Sequence, residues 1–466
     1  MEGSILMSHL KETSKRTERP KLLIFCSHYP PGPKTGGVAR VSKLVKYLPE
    51  YGWSSVIVTS RFAEEDSYSS ELYAEISDKG LVFRLPSFYP GGLIKIIANT
   101  ITLLTSLPMT LYKQILGGIN NSDESNFNKK REVITRSDQY FLPDIGVFWG
   151  IVAGVAGIKY AKKYQPRIIL ATAPFHSSLI SAFLTARFSG LPFVIDLRDP
   201  WTTNPFASAK KFKILESLED ALERYIFKRA SKIICVHSNF IDPIILKHGL
   251  SIDKFAVIPN GYDEEDFKDL EAVKFPKLTI VHTGSFYPGR TPDIFMQALE
   301  IISKKNPNLL SGWDVKFIGS PADYKSEESE SILKCGIHNM GHLGRNETIK
   351  NMAGADILLL LPGVGATSLT GKIFEYMAVK KPIFCISDKG AASEIIEESN
   401  IGVSADLNSV TDVAEKLNDL MSAISDKRLH PAKDSHNLAR YTRLEIAKSF
   451  DKTLRDILMS SVRNED

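Results

Sequence analysis

Cysteine is scarce in this chain, with four in 466 residues. Cys26, Cys235, Cys335 and Cys385 are scattered among apolar neighbours with no pair at metal-ligand spacing. That excludes a disulfide framework and a cysteine zinc site, and points to reduced thiols in a cytosolic setting. An excess of one charge is equally lacking. The formal net charge is +4, from 58 Lys and Arg against 54 Asp and Glu, which is too little for this length to announce a nucleic-acid binder. No apolar run has the ~20 residues needed to span a bilayer. The candidate segment, 91–119, holds 17 uncharged residues between Lys95 and Lys113, interrupted by Asn99 and Pro108. Residues 1–20 are polar and basic with no apolar core of signal-peptide length, and are expected to be a flexible tail. The remainder is ordinary globular material, 43% hydrophobic and 24% charged, enough for two or three domains with cores of their own.

Short apolar runs alternate with helical patterns along most of that length. "KLLIFCSHYPP" reads as a strand and loop, "GPKTGGVARVSKLVKYLPEYGW" as a Gly-rich turn and amphipathic helix, and "SSVIVTS" as a second strand. "PRIILATAP", "PFVIDLRDPW" and "SKIICVHS" continue the series. After "FAVIPNG" and a linker-like stretch, 268–277, a second series follows: "LTIVHTGSFYPG", "WDVKFIGS", "GHLGR", "DILLLLPG" and "KPIFCIS". The expected class is α/β, with two doubly wound, Rossmann-like parallel-sheet domains and a hinge near 260–277. Ligands of such sheets bind beyond the carboxyl ends of the strands, so the strand-end loops are expected to meet in an interdomain cleft.

The loops carry suitable chemistry. "TGSFYPGR" (283–290) leaves a strand through two glycines and supplies a cation, Arg290. "GVGATSLTGKIFEY" (363–376) opens a helix from a Gly/Ser/Thr loop, so its backbone N–H groups are expected to cradle phosphate. Lys372 and Glu375 fall at i, i+3 on one helical face, suiting diphosphate charge and a ribose diol respectively; an ordinary exposed Lys-Glu pair fits the same spacing. P-loop spacing is absent. "DEEDF" (263–267) suits a helix cap with first-turn acids better than a metal site. His28, His176, His237, His282 and His342 have no ligand spacing.

"VIPNGYDEEDF", "TGSFYPGRTPDIFMQAL", "ADILLLLPG" and "KIFEYMAVKKPIFC" together resemble the C-terminal half of a glycosyltransferase family 4 enzyme of GT-B fold. "HYPPGPKTGGVARVSKLVKYL" resembles its N-terminal opening, and "DLRDPW" (196–201) a bacterial and archaeal subgroup that builds surface polysaccharides. The resemblance covers roughly residues 21–460. It implies an acceptor-binding domain over 21–262, a nucleotide-sugar-binding domain over 263–440, and a C-terminal helix, 441–466, that crosses back to the first domain. It further implies retaining transfer of a sugar from a nucleotide-diphosphate donor of UDP or GDP type, without a cofactor or bound metal, to a glycan or lipid-linked acceptor. Nucleic acid is not among the expected partners.

Site roles follow from the same resemblance. Arg290 and Lys372 are the expected diphosphate cations. Asp199 is a candidate to orient the acceptor, against the alternative of a structural Asp-Arg pair within "LRDPW". Donor contacts are expected from Gly36, Gly37, Gly284, Ser285, Leu343, Ser368, Leu369, Thr370 and Glu375, with Arg40 and His176 on the acceptor side. For Gly36 and Gly37 the alternative is a tight turn needing glycine only for backbone geometry. Three positions depart from the family pattern: Thr367 stands for the first of two acidic residues, Gly284-Ser285 for Gly-Arg, and Thr172 for a histidine near the donor sugar. A nucleotide-sugar epimerase or phosphorylase of the same fold and an inactive partner subunit remain as alternatives. Segment 91–136, with Lys129, Lys130 and Arg131 beside its apolar part, reads either as a buried or capping helix pair or as a peripheral contact with the inner face of the cell membrane.

Overall fold

The computed structural model describes residues 19–32, 36–61, 67–87, 141–204, 211–287, 289–319, 335–365, 369–427 and 436–463. Residues 1–18 of the expected tail, the segment 91–136 with its basic cluster, Thr367 and Ser368 lie outside the described residues. The chain forms two compact α/β units. One comprises the chain up to Cys235, His248–Ala256 and Phe450 onward; the other comprises Val236–Lys247 and Val257–Ser449. The chain thus passes between the units several times instead of dividing once near residue 262.

The first unit is built from β1 (Lys21–Phe25), α1 (Gly36–Tyr47), β2 (Ser54–Arg61), α2 (Ser67–Ile76), β3 (Gly80–Pro86), α3 (Val147–Tyr164), β4 (Ile168–Ala173), α4 (Ser177–Ser189), β5 (Phe193–Leu197), α5 (Lys213–Arg229) and β6 (Lys232–Cys235). After α6 (Ile241–His248), the short β7 (Phe255–Val257) closes a sheet of order β3-β2-β1-β4-β5-β6-β7. Pairings from β3 through β6 are parallel, for example Leu23 opposite Val56 and Ile169. Helices α3 and α4 pack at unusually close range. Gly150 and Gly154 of α3 offer their carbonyls to Ser181 Oγ (2.8 Å) and Thr185 Oγ1 (3.0 Å) of α4. A Cβ at Gly150 would lie 2.5 Å from the Ser177 carbonyl oxygen, so the interface admits only the smallest residue there.

The second unit contains β8 (Leu278–Thr283), α7 (Asp293–Lys305), α8 (Pro307–Ser311), β9 (Trp313–Ile318), β10 (Gly336–Asn339), α9 (Arg345–Gly354), β11 (Ile357–Leu360), α10 (Lys372–Ala378), β12 (Ile383–Ser387), α11 (Ala391–Ser399), β13 (Gly402–Asp406), α12 (Val410–Ser425) and the start of α13 (Arg443–Arg463). Its all-parallel sheet has the order β10-β9-β8-β11-β12-β13. Alternate residues feed opposite cores. Ile280, Ile357, Leu359 and Phe384 pack on one face with α7 and α12. Val281, Leu358, Leu360 and Ile383 pack on the other with α9, α10 and α11. Burial on both faces is why these strands read as unbroken apolar runs rather than alternating ones. One expected strand is displaced: "GHLGR" is a loop, and the strand is the preceding Gly336–Asn339. Gly341, at φ 64°, turns the chain out of strand geometry and Gly344 caps α9. Among the described residues no helix is long and apolar enough to cross a membrane.

Candidate active site

In each sheet the strand order reverses beside its first strand, between β1 and β4 and between β8 and β11. Strands there diverge in their connections and leave a crevice at their carboxyl ends. In the second unit that crevice is marked by nitrogen atoms with nothing to bind. His282, 1% exposed near the end of β8, donates its Nδ1–H to the Leu359 carbonyl of β11 at 2.9 Å. That bond fixes the tautomer and leaves Nε2 as a buried lone pair without a partner. Burial foremost, with the nearby charges of Arg290 and Lys372, holds the imidazole neutral, its pKa lowered to about 3. The ring stacks on Phe286 at 5.1 Å, which fixes its plane.

Arg290 reaches the same spot. Its backbone closes a tight turn with Tyr287, N–H to carbonyl at 3.1 and 2.7 Å in the two directions, and Gly289 supplies the φ of 83° that the third turn position requires. The Nε and Nη2 atoms of Arg290 are buried and have no partner. A Cβ on Gly284, whose φ is 144°, would lie 3.4 Å from Arg290 Nη2 and 3.5 Å from His282 Nε2, so these groups converge on the bare face of that glycine. A guanidinium with two buried, unsatisfied N–H directions is costly unless something anionic completes it.

Helix α10 stands beside them, pinned by Tyr376. The buried phenol accepts from the Thr283 amide at 2.8 Å and donates to the Leu359 carbonyl at 3.3 Å, tying the helix to both strands of the crevice. Ile373, Phe374 and Met377 face the core, which leaves Lys372 and Glu375 on the outer side. There the two side chains pair with each other, Nζ to Oε2 at 2.7 Å, and Arg345 Nη1 approaches the second oxygen of Glu375 at 3.8 Å. Arg345 is held in turn by Asp266 at 2.9 Å. Leu369 and Leu343 pack at the edge of the α10 core, Thr370 Oγ1 accepts from the Lys372 amide at 3.4 Å, and Ser285 is exposed just past Gly284.

The first unit presents a different arrangement at its own crevice. Arg40 is not at a surface: it is 1% exposed, forked onto Asp196 with its Nη2 2.8 Å and its Nε 3.0 Å from the carboxylate, and covered by the Phe450 ring at 5.3 Å. Thr172 donates to the same carboxylate at 3.0 Å, so the departure at Thr172 completes a buried network. The Asp-Arg pair involving "DLRDPW" is therefore Asp196 with Arg40. Arg198 donates instead to the carbonyls of Ala173 (2.9 Å) and Pro174 (2.7 Å). Gly37 lies against it, since a Cβ there would fall 1.3 Å from Arg198 Nη1, while Gly36 begins α1. Asp199 is exposed. His176, at the head of α4, stacks on Trp201 at 4.9 Å and bonds the Asp199 backbone, with burial foremost lowering its pKa to about 3. His28 stacks on Phe175 at 5.1 Å, and burial, then Arg198, lowers its pKa to about 4.

Residues 121–266 match the family described as Glycosyltransferase Family 4, and residues 277–423 match Glycosyl transferases group 1. Both matched regions are glycosyltransferase domains. It is 22% identical over 228 residues to the phosphatidylinositol N-acetylglucosaminyltransferase GPI3 subunit of Saccharomyces cerevisiae, a match covering 47% of this chain and 49% of that protein. The chain thus spans about half the length of the curated relatives it matches. Its fold is similar to that of the lipopolysaccharide outer core galactosyltransferase WaaB, with a TM-score of 0.54 at 14% identity over 95% of this chain and 99% of that one. A point mutant of S. aureus TarM, solved with fondaparinux, α-GlcNAc-glycerol and UDP, aligns with a TM-score of 0.52 at 11% identity, covering 95% and 99% of the two chains. The two sheets, seven and six strands, are those of the GT-B glycosyltransferase fold.

Within the second unit, Gly284, Ser285, Arg290, Leu343, Leu369, Thr370, Lys372 and Glu375 lie on loops and a helix at one end of the sheet. Gly36, Gly37, Arg40, His176 and Asp199 belong to the other unit. Sequence reasoning missed His282, Tyr376, Arg345 and Arg198. For His282 a signal existed, namely a single imidazole inside the unbroken apolar run "LTIVHTG", where a polar ring must find a partner or serve a site.

Proposed function

We propose that the crevice of the second unit binds the diphosphate of a nucleotide sugar, and that the enzyme transfers the sugar, with retention, to a glycan or lipid-linked acceptor in cell-surface polysaccharide synthesis. The observation that carries this reading is the pair of unsatisfied Arg290 N–H directions converging with His282 Nε2 on Gly284. Cleaving the sugar-phosphate bond builds negative charge on the leaving diphosphate, and a preoriented guanidinium in a dry crevice stabilises that charge more than the ground state. Lys372 adds a second cation once donor binding draws it from Glu375. Glu375, released from that pair, accepts from a ribose diol. The UDP held in the TarM structure favours a UDP sugar, the acceptor hydroxyl attacks the face from which the diphosphate leaves, and Asp199 orients that acceptor. Counter-charge is assigned to side chains and no metal is expected, so chelation with EDTA should leave turnover unchanged.

Titration with UDP, GDP and ADP while following thermal unfolding tests the donor assignment. A nucleotide held at a hundred times its Kd stabilises the fold by about 2.7 kcal/mol, and Arg290→Ala should remove most of that gain. No stabilisation by any of the three, or an undiminished gain in Arg290→Ala, would overturn the placement.

A further inference from the structure

Helix α3 is built inside out. In a surface helix of a globular protein the large apolar side chains face the core and small or charged residues face water. Toward the core α3 turns Trp149 in its first turn and from there on only Gly150, Ala153, Gly154, Gly157 and Ala161, since at Gly150, Gly154 and Gly157 the residues of α4 lie too close for anything larger. Outward it turns Phe148, Ile151, Val152 and Val155, which are 37%, 44%, 39% and 62% exposed. Their spacing of i, i+3, i+4 and i+7 makes one continuous stripe.

The charge pattern says what belongs on that stripe. In its C-terminal half α3 exposes Lys159, Lys162 and Lys163, and the helix contains no acidic residue. The neighbouring α4 runs alongside, with Gly157 against Thr185, and its end exposes Arg187 and Phe188, the latter at 68%. Apolar side chains that share their helix face with cations and no acid complement a surface that is apolar below and anionic at its rim. A second copy of this face would set lysines against lysines if packed in parallel, and lysines against the apolar stripe if packed antiparallel.

We propose that the outer face of α3, with the end of α4, docks on an anionic lipid bilayer. The four apolar side chains enter the boundary between headgroups and acyl chains, and the lysines sit among the lipid phosphates. The helix lies in the membrane plane. A lipid-linked acceptor, as in the reading above, gives this surface a purpose, yet the surface itself is independent of that reading.

Flotation of the full chain with phosphatidylcholine vesicles, with and without phosphatidylglycerol, tests the proposal. The chain should float with the anionic vesicles and be released by high salt. The double substitution Ile151→Glu with Val155→Glu, and separately Lys159→Glu with Lys162→Glu and Lys163→Glu, should each weaken partitioning by at least about tenfold. Melting temperature and the stabilisation by UDP should not change in either variant, which keeps this result separate from the donor assignment. Failure of the unaltered chain to float, or equal flotation of the variants, overturns the proposal. So does a dimer in sedimentation that the Glu substitutions dissociate, which would make a second copy the occupant. A steep loss of thermal stability in the Ile151/Val155 variant would also overturn it, by showing that the chain covers the stripe itself.

Discussion

Lys372 and Glu375 stand one turn apart with Nζ and Oε2 at 2.7 Å, and each is about a quarter to a third exposed. The pair keeps both groups ordered before a ligand arrives, at little stabilisation of its own given the exposure. Their substitutions should therefore separate in kinetics rather than in stability. Glu375→Gln should raise the donor KM, and Lys372→Ala should lower kcat, each by about one to two powers of ten, corresponding to ~1.5 to 3 kcal/mol for a charge-assisted hydrogen bond. Steady-state rates with both variants unchanged would remove this helix from the site.

His282 predicts a pH dependence. Its folded pKa, about 3, lies below the ordinary histidine value, so between about 6.5 and 3 the unfolded chain binds a proton that the folded chain does not. Stability from this group is thus full above about 6.5 and falls as the pH drops, by up to ~1.4 kcal/mol per unit. His282→Asn can keep a donor for the Leu359 carbonyl while removing the titration. Calorimetry in buffers of different ionisation enthalpy near pH 5 should find about one fewer proton taken up on unfolding.

The buried Arg40–Asp196 pair should behave as a unit. Arg40→Ala strands a carboxylate whose only other described side-chain donor is Thr172, and should cost about 3 to 5 kcal/mol. Arg40→Met combined with Asp196→Leu should recover most of that loss, as measured by denaturant titration of the first unit. A double variant that costs as much as the two single variants together would show that the pair is not coupled.

Gly37→Ala should act through Arg198. The methyl displaces the guanidinium from the carbonyls of Ala173 and Pro174, at a cost of about 1.5 to 3 kcal/mol. Arg198→Ala should cost a similar amount, and the double variant no more than either alone. Additive losses would show that Gly37 matters for another reason.

The fold was legible because its signal is long-range repetition: apolar runs of strand length, each followed by a loop and a helical pattern, twice over. β10 was misplaced for want of that signal, since "GIHN" has a single strongly apolar residue and the tertiary sheet, not its propensity, makes it a strand. Arg290 and Lys372 stand out as candidates from loop chemistry, whereas Arg345 lies outside any such loop pattern and comes beside Glu375 only through the fold. Arg40 was not, because an arginine on the first turns of a helix after a Gly-rich loop has the same local pattern whether it meets a ligand or a buried aspartate 156 residues away. The distinction between Arg198 and Asp199 was likewise invisible, because one residue decides which side chain turns to the carbonyls of β4 and which to solvent.

The interleaving of the two units has a consequence for how the enzyme is made. Trp53 donates to Asp451 at 2.7 Å and Arg40 lies over Phe450, so parts of the first unit's core are supplied by residues synthesised some 400 positions later. Until α13 emerges, the growing polypeptide holds a seven-stranded sheet whose Arg40–Asp196 pair lacks its Phe450 cover and whose Trp53 indole lacks its acceptor. Such a nascent chain depends on reaching α13 before it can settle, and a product stalled short of that helix would be the form handed to chaperones and proteases.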